Sequence, residues 1–250
     1  MNLEPRPSSS RSSSPLNATF PLHASFTEST PIEPIAADMK VRKCISDSCI
    51  QRGLPASYQN KNMNYMLISR SGGSTIKQII TTINERCNQI LAGGATVEPP
   101  KDEINILAHF APDAFYRVVI SGKQGLQAIT RAMYSFPTCR DLQECGCLAL
   151  GNLCTQNNNL VVADQACAVQ AVIAAMRLHP ASVAVQSAAC EALRNMSGLI
   201  LAYAKQTPTS PIASELVTVL SHTTNMFLLP SHRQIADTLL MLVQQAVHRI

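Results

Sequence analysis

Apolar positions along this chain of 250 residues fall into two regimes. From residue 104 onward they recur at intervals of three and four, which places them on one face of an α-helix. Leu126, Ile129 and Met133 make one such face. Pro137 is placed to end that helix, because its ring removes a backbone donor and turns the preceding residue away from helical geometry. A second helix is predicted over about 140–154, with Leu142, Cys145 or Gly146, Ala149, Leu150 and Leu153 as its inward stripe. Before residue 60 the pattern vanishes. The stretch PRPSSSRSSSPLNATFPLHASFTESTPIEPIAAD has no periodic apolar face and cannot bury enough surface to offset the entropy of ordering, so residues 1–60 are expected to be a disordered Ser/Pro-rich tail. Ser14-Pro15 near Arg11 is read there as ordinary tail composition rather than as a phosphorylation site.

The helical text repeats itself. Sliding the chain by 43 sets GLQAITRAMYSFPTCRDLQECGCLALGNLC (125–154) on AVQAVIAAMRLHPASVAVQSAACEALRNMS (168–197), and ten of the thirty pairs are identical. About two would coincide by chance. The shared residues include Gln143 with Gln186, Cys147 with Cys190 and Asn152 with Asn195. The same offset places Val118 and Val119 on Val161 and Val162, so INILAHFAPDAFYRVVISGKQG reads as the end of an earlier unit. Downstream a shift near 47 sets Ala236, Leu239, Leu240 and Val243 on Ala189, Ala192, Leu193 and Met196, after a stretch GLILAYAKQTPTSP read as an inserted loop. Upstream, TIKQIITTI (75–83) reads as the opening helix of a unit, followed by a longer connector holding Pro99-Pro100. Small residues at Gly146 and Ala189 let helix axes approach closely. A unit of this size has too little core to stand alone and must stack on its neighbours.

The pattern Q-x-x-(small)-x-x-A-L-x-N-(Leu/Met), following a Gly-led or Ala-led helix and a Pro turn, resembles the second and third helices of an armadillo repeat. The period of 43 lies in the range of armadillo and HEAT units. The resemblance covers about residues 66–250, with clear repeats at 125–167 and 168–211 and degenerate units on either side. It implies an all-α fold, a right-handed α-solenoid of about four armadillo-like repeats. It also implies a concave groove lined by the third helices, in which Asn152 and Asn195 pair with the backbone of an extended peptide. A carboxamide suits that task because it offers both donor and acceptor to one residue of a strand. By helical spacing Glu144 and Leu148 share a stripe with Asn152, and Ser187 and Glu191 share one with Asn195. These six residues are the candidate partner-binding set. The nuclear-import adaptors of the family carry a Trp four residues before the Asn. Leu148 and Glu191 stand there in this chain, which argues against recognition of nuclear-localisation signals.

Composition narrows the function further. Aromatic residues make up 4% and Trp is absent, so the core must be aliphatic, as packed helices allow. The net charge of +4 is spread along the chain and forms no basic stripe, which weakens the alternative of a helical-repeat nucleic-acid binder. Nine cysteines, an odd number, several at inward positions, fit a reducing cytoplasmic or nuclear setting, where the Asn17 and Asn195 sequons are chance matches. No apolar run approaches the ~18 to 20 residues of a membrane span. The CGC at 145–147 lacks the second pair a zinc site needs, and Cys147 recurs as Cys190, which points to packing. His179, His222, His232 and His248 have no catalytic partner at suitable spacing, and SRSGGST (69–75) lacks the Lys-Ser/Thr ending of a phosphate loop, so Gly72-Gly73 are read as opening a helix. The expectation is a non-catalytic scaffold or adaptor without metal, cofactor or small-molecule substrate. Its partner is expected to be a protein segment.

Overall fold

A computed structural model describes residues 73–93, 96–155, 158–206, 211–226 and 230–248. The expected tail over 1–60, its Ser14 and Asn17, and most of the segment 69–75 lie outside the described residues. Among the described residues the protein is all-α, with eleven helices and no strand. They are α1 (Gly73–Leu91), α2 (Lys101–Phe110), α3 (Ala114–Gly122), α4 (Gly125–Ser135), α5 (Arg140–Leu153) and α6 (Asn158–Gln165), followed by α7 (Ala168–Leu178), α8 (Val183–Asn195), α9 (Ser197–Gln206), α10 (Pro211–Thr224) and α11 (Pro230–His248).

Their packing is successive. α1 lies against α4, α4 against α7 and α7 against α10, while α2 lies against α5, α5 against α8 and α8 against α11. One aliphatic core runs between these two sets, from Ile76 and Ile80 through Leu126, Leu150, Val172 and Leu193 to Leu239 and Val243. The inward stripe of α5 takes Gly146, which is buried, in preference to Cys145, which is half-buried. A methyl group at Gly146 would meet the Met133 side chain at 2.7 Å, so the small residue makes room for that thioether.

Two of the short helices, α3 and α6, turn into the next through a left-handed residue. Gln124 (φ 62°) precedes α4 and Cys167 (φ 55°) precedes α7, 43 residues apart. At the first corner a Cβ on Gly125 would lie 2.3 Å from Ile120 Cγ2 and 2.8 Å from its carbonyl oxygen. The second corner has Ala163 and Ala168 in the corresponding places, both buried. Bulk on one side is thus matched by its lack on the other.

The two glutamines close the C-terminal ends of α4 and α7. Gln143 Nε2 donates to Met133 O (2.9 Å) and Phe136 O (3.1 Å). Gln186 Nε2 donates to Met176 O (2.8 Å) and His179 O (3.1 Å). The last carbonyls of a helix lack intrahelical partners, and a buried carboxamide supplies one.

One expectation is corrected. The stretch from Gly198 read as an inserted loop is mostly helix, since α9 runs Ser197–Gln206. Met196, Ile200 and Ala204, spaced by four, are buried and tie it to the core. Its run of apolar residues lacks a contiguous polar face, and that hid the helical period. The Pro99-Pro100 connector is held by Arg86, which donates to Glu98 O (3.5 Å) and Pro99 O (3.3 Å) and pairs with Glu103 at 3.0 Å. Among the described residues no single helix is long and apolar enough to cross a membrane. The pair α6 and α7 passes on composition but is bent by 63°.

Candidate functional site

The six candidate residues occupy one face of α5 and one face of α8, two helices that pack on each other. Glu144 and Asn152 are half-buried and Leu148 between them is 40% exposed. Ser187, Glu191 and Asn195 are all half-buried. The stripes are therefore accessible but not loose. Leu148 is an exposed apolar point flanked by polar residues, and Val183, four residues before Ser187 on α8, is another.

Both asparagines reach the helix that stands three before their own along the chain. Asn152 Nδ2 donates to Ala108 O on α2 at 3.2 Å, and Asn195 Nδ2 donates to Gly151 O on α5 at 2.9 Å. A carboxamide has two N–H donors and a carbonyl oxygen with two lone pairs. One donor of each amide is thus committed within the chain, and the Oδ1 and the other donor have no partner among the described residues.

Glu191 is engaged as well. Arg194 Nη2 meets its Oε2 at 2.5 Å, and His232 Nε2 on α11 lies 4.0 Å from its Oε1. Sequence spacing shows the i,i+3 pair with Arg194, but it gives no sign of His232, whose approach depends on how α11 packs on α8. On α2, Asn105 Oδ1 accepts from Cys145 Sγ at 3.8 Å. The exposed charges along α2, α5, α8 and α11 are mixed, with Lys101, Arg140, Arg194 and Arg233 beside Asp102, Asp141 and Asp237.

The thiols near this face are subdued. Burial, then the carboxylates of Glu144, Asp141 and Asp102, pushes Cys145 up to about 11. Burial raises Cys154 and Cys190 to about 12 and Cys147 higher still. Thiols so placed stay protonated at neutral pH and are poor nucleophiles. His179 Nε2 donates to Pro137 O at 2.8 Å across two turns, a structural use of the ring. Among the described residues no group of three His, Cys, Asp or Glu side chains is placed to hold a metal ion. Two open depressions lie over Pro230, Arg233, Asp237 and Met241 on α11 and over Arg86, Gln89, Val97 and Glu98, and neither includes Asn152 or Asn195. No family model matches the chain, and no curated protein or solved structure matches it either.

Proposed function

We propose that this chain is a non-catalytic scaffold, a right-handed α-solenoid of about four armadillo-like repeats that holds an extended segment of a partner protein along α2, α5, α8 and α11. The observation that carries this reading is the amide pair. Asn152 and Asn195 sit 43 residues apart on adjacent helices, each anchored by one N–H and each keeping an acceptor and a donor without a partner among the described residues. Such a pair satisfies the N–H and C=O of an extended residue whatever its side chain. Leu148, one turn before Asn152 on α5, offers apolar contact, while Glu144, Ser187 and Glu191 lie along the same two stripes and tune the choice of partner. The successive packing of α2, α5, α8 and α11 supports a continuous face, as stacked repeats produce.

Mixed charge on these helices favours a protein segment over nucleic acid, which would require a basic stripe. The free cysteines fit a cytoplasmic or nuclear setting. The test is affinity capture by the wild type beside an Asn152→Ala, Asn195→Ala double variant of equal helicity. The partner recovered by the wild type should be retained by the variant at least tenfold more weakly, given about 1 kcal/mol for each neutral hydrogen bond lost. Equal retention by both would remove the amides from the binding face.

A further inference from the structure

The two carboxamides of this face meet different crossings on the helices they bond to. Asn195 bonds Gly151 O at 2.9 Å, whereas Asn152 bonds Ala108 O at 3.2 Å. Gly151 is buried, and a Cβ there would stand 3.0 Å from Ala192 Cα and 3.3 Å from its N and Cβ. Those are backbone-bound atoms that cannot swing aside, so α5 and α8 meet almost main chain to main chain. At the junction of α2 with α5 the corresponding residues are Ala108 and Ala149, both buried. A methyl group already stands in that crossing, and the amide bond across it is the longer of the two.

We propose that Gly151 is a positioning residue for ligand binding at Asn195, an inference that rests on the groove reading above. Because Gly151 lacks a side chain, α8 closes onto α5 and the carbonyl of Gly151, in the last turn of α5, fixes the Asn195 amide before any partner arrives. Of the two ends of a carboxamide only the nitrogen can donate to a carbonyl, so that end must face α5, and the sense in which Oδ1 and the second N–H are presented is set in advance. Ordering the side chain beforehand removes part of the entropic cost of binding. Ala108 fixes Asn152 in the same sense but less tightly.

The test uses the full chain with its asparagine side chains labelled with nitrogen-15 and follows exchange of the Nδ2 protons by NMR. In the wild type one Nδ2 proton of Asn195 is expected to exchange about tenfold more slowly than those of exposed Asn88. Gly151→Ala should abolish that protection and shift the Asn195 resonances while leaving Asn152 and the helical content unchanged. Ala108→Gly is the reciprocal variant and decides the matter if Gly151→Ala fails to fold: it should slow exchange at Asn152 alone. Absent protection at Asn195, a Gly151→Ala variant that leaves it intact, or an Ala108→Gly variant that leaves Asn152 unchanged would overturn the proposal. An equimolar pool of random dodecapeptides is then added to the wild type. Movement of the second Asn195 N–H is expected, and its absence while protection persists would sink the groove reading separately.

Discussion

Two stretches of the chain, 125–167 and 168–211, meet the same packing demands with partly different side chains. At their leading corners both use a left-handed residue, Gln124 and Cys167, yet Ile120 over Gly125 in one is replaced by Ala163 over Ala168 in the other. At their helix ends both use a buried Gln, but among the described residues only Gln186 also accepts from a hydroxyl, that of Thr223 on α10 at 2.6 Å. α5 and α8 both carry in their last turn an Asn that donates to a helix packed beside them, α2 and α5 respectively. The lesson is that identity persists where a backbone carbonyl must be met by an amide. It is traded where only volume has to be conserved, as packing at crystal-like density allows.

The stretches also differ in buried thiols, and this gives the largest expected effect. Cys145, Cys147 and Cys154 lie in the first and Cys190 in the second, all with folded-state pKa values raised by burial above the ordinary 9.0. A thiol whose folded pKa is raised contributes fully below pH 9 and loses that contribution as the pH climbs toward its folded value, because the unfolded chain ionises first. At pH 10 the loss is about 1 kcal/mol for each buried thiol. Thermal melts between pH 8 and pH 10.5 should therefore fall steeply. Replacing the three thiols of the first stretch by Ala should flatten that slope about three times as much as Cys190→Ala.

The corners come next. Gly125→Ala forces a methyl into Ile120 and should cost about 2 to 3 kcal/mol in urea unfolding, partly relieved when Ile120→Ala is added. Ala168→Gly, at the second corner, should cost only about 1 kcal/mol through backbone entropy. Strictly additive effects of Ile120→Ala and Gly125→Ala would show that the two positions do not compensate each other. A smaller contrast is expected at the glutamines. Gln186→Ala should cost roughly 2 kcal/mol and Gln143→Ala somewhat less, since only the former also removes a buried acceptor from the Thr223 hydroxyl, which is left with Val219 O alone. Equal losses in denaturant melts would remove Thr223 from the account.

Much of the helical layout was legible because it is written in aliphatic period and in Pro137 and Pro180. The predicted helix over 140–154 corresponds to α5 at Arg140–Leu153. Gln143 and Gln186 stood out as repeated letters, but their role depends on carbonyls ten residues earlier, which no spacing rule exposes. α9 was missed because Leu199, Ile200, Leu201 and Tyr203 crowd apolar side chains onto several faces, and only Ile200 and Ala204 are fully inside. On the candidate face the spacing of Glu144, Leu148 and Asn152 was readable from helix geometry. The hold of Ala108 and Gly151 on the two asparagines was not, since it arises from helix pairs 44 residues apart along the chain.

The most direct measurement is site-specific photo-crosslinking in native lysate with the probe at Leu148 or, as control, at Val161, an exposed valine on α6. The account predicts a discrete adduct from Leu148, absent from Val161 and lost when Asn152→Ala and Asn195→Ala are introduced. An adduct formed from Val161 and not from Leu148, or one from Leu148 that persists without both amides, would contradict it.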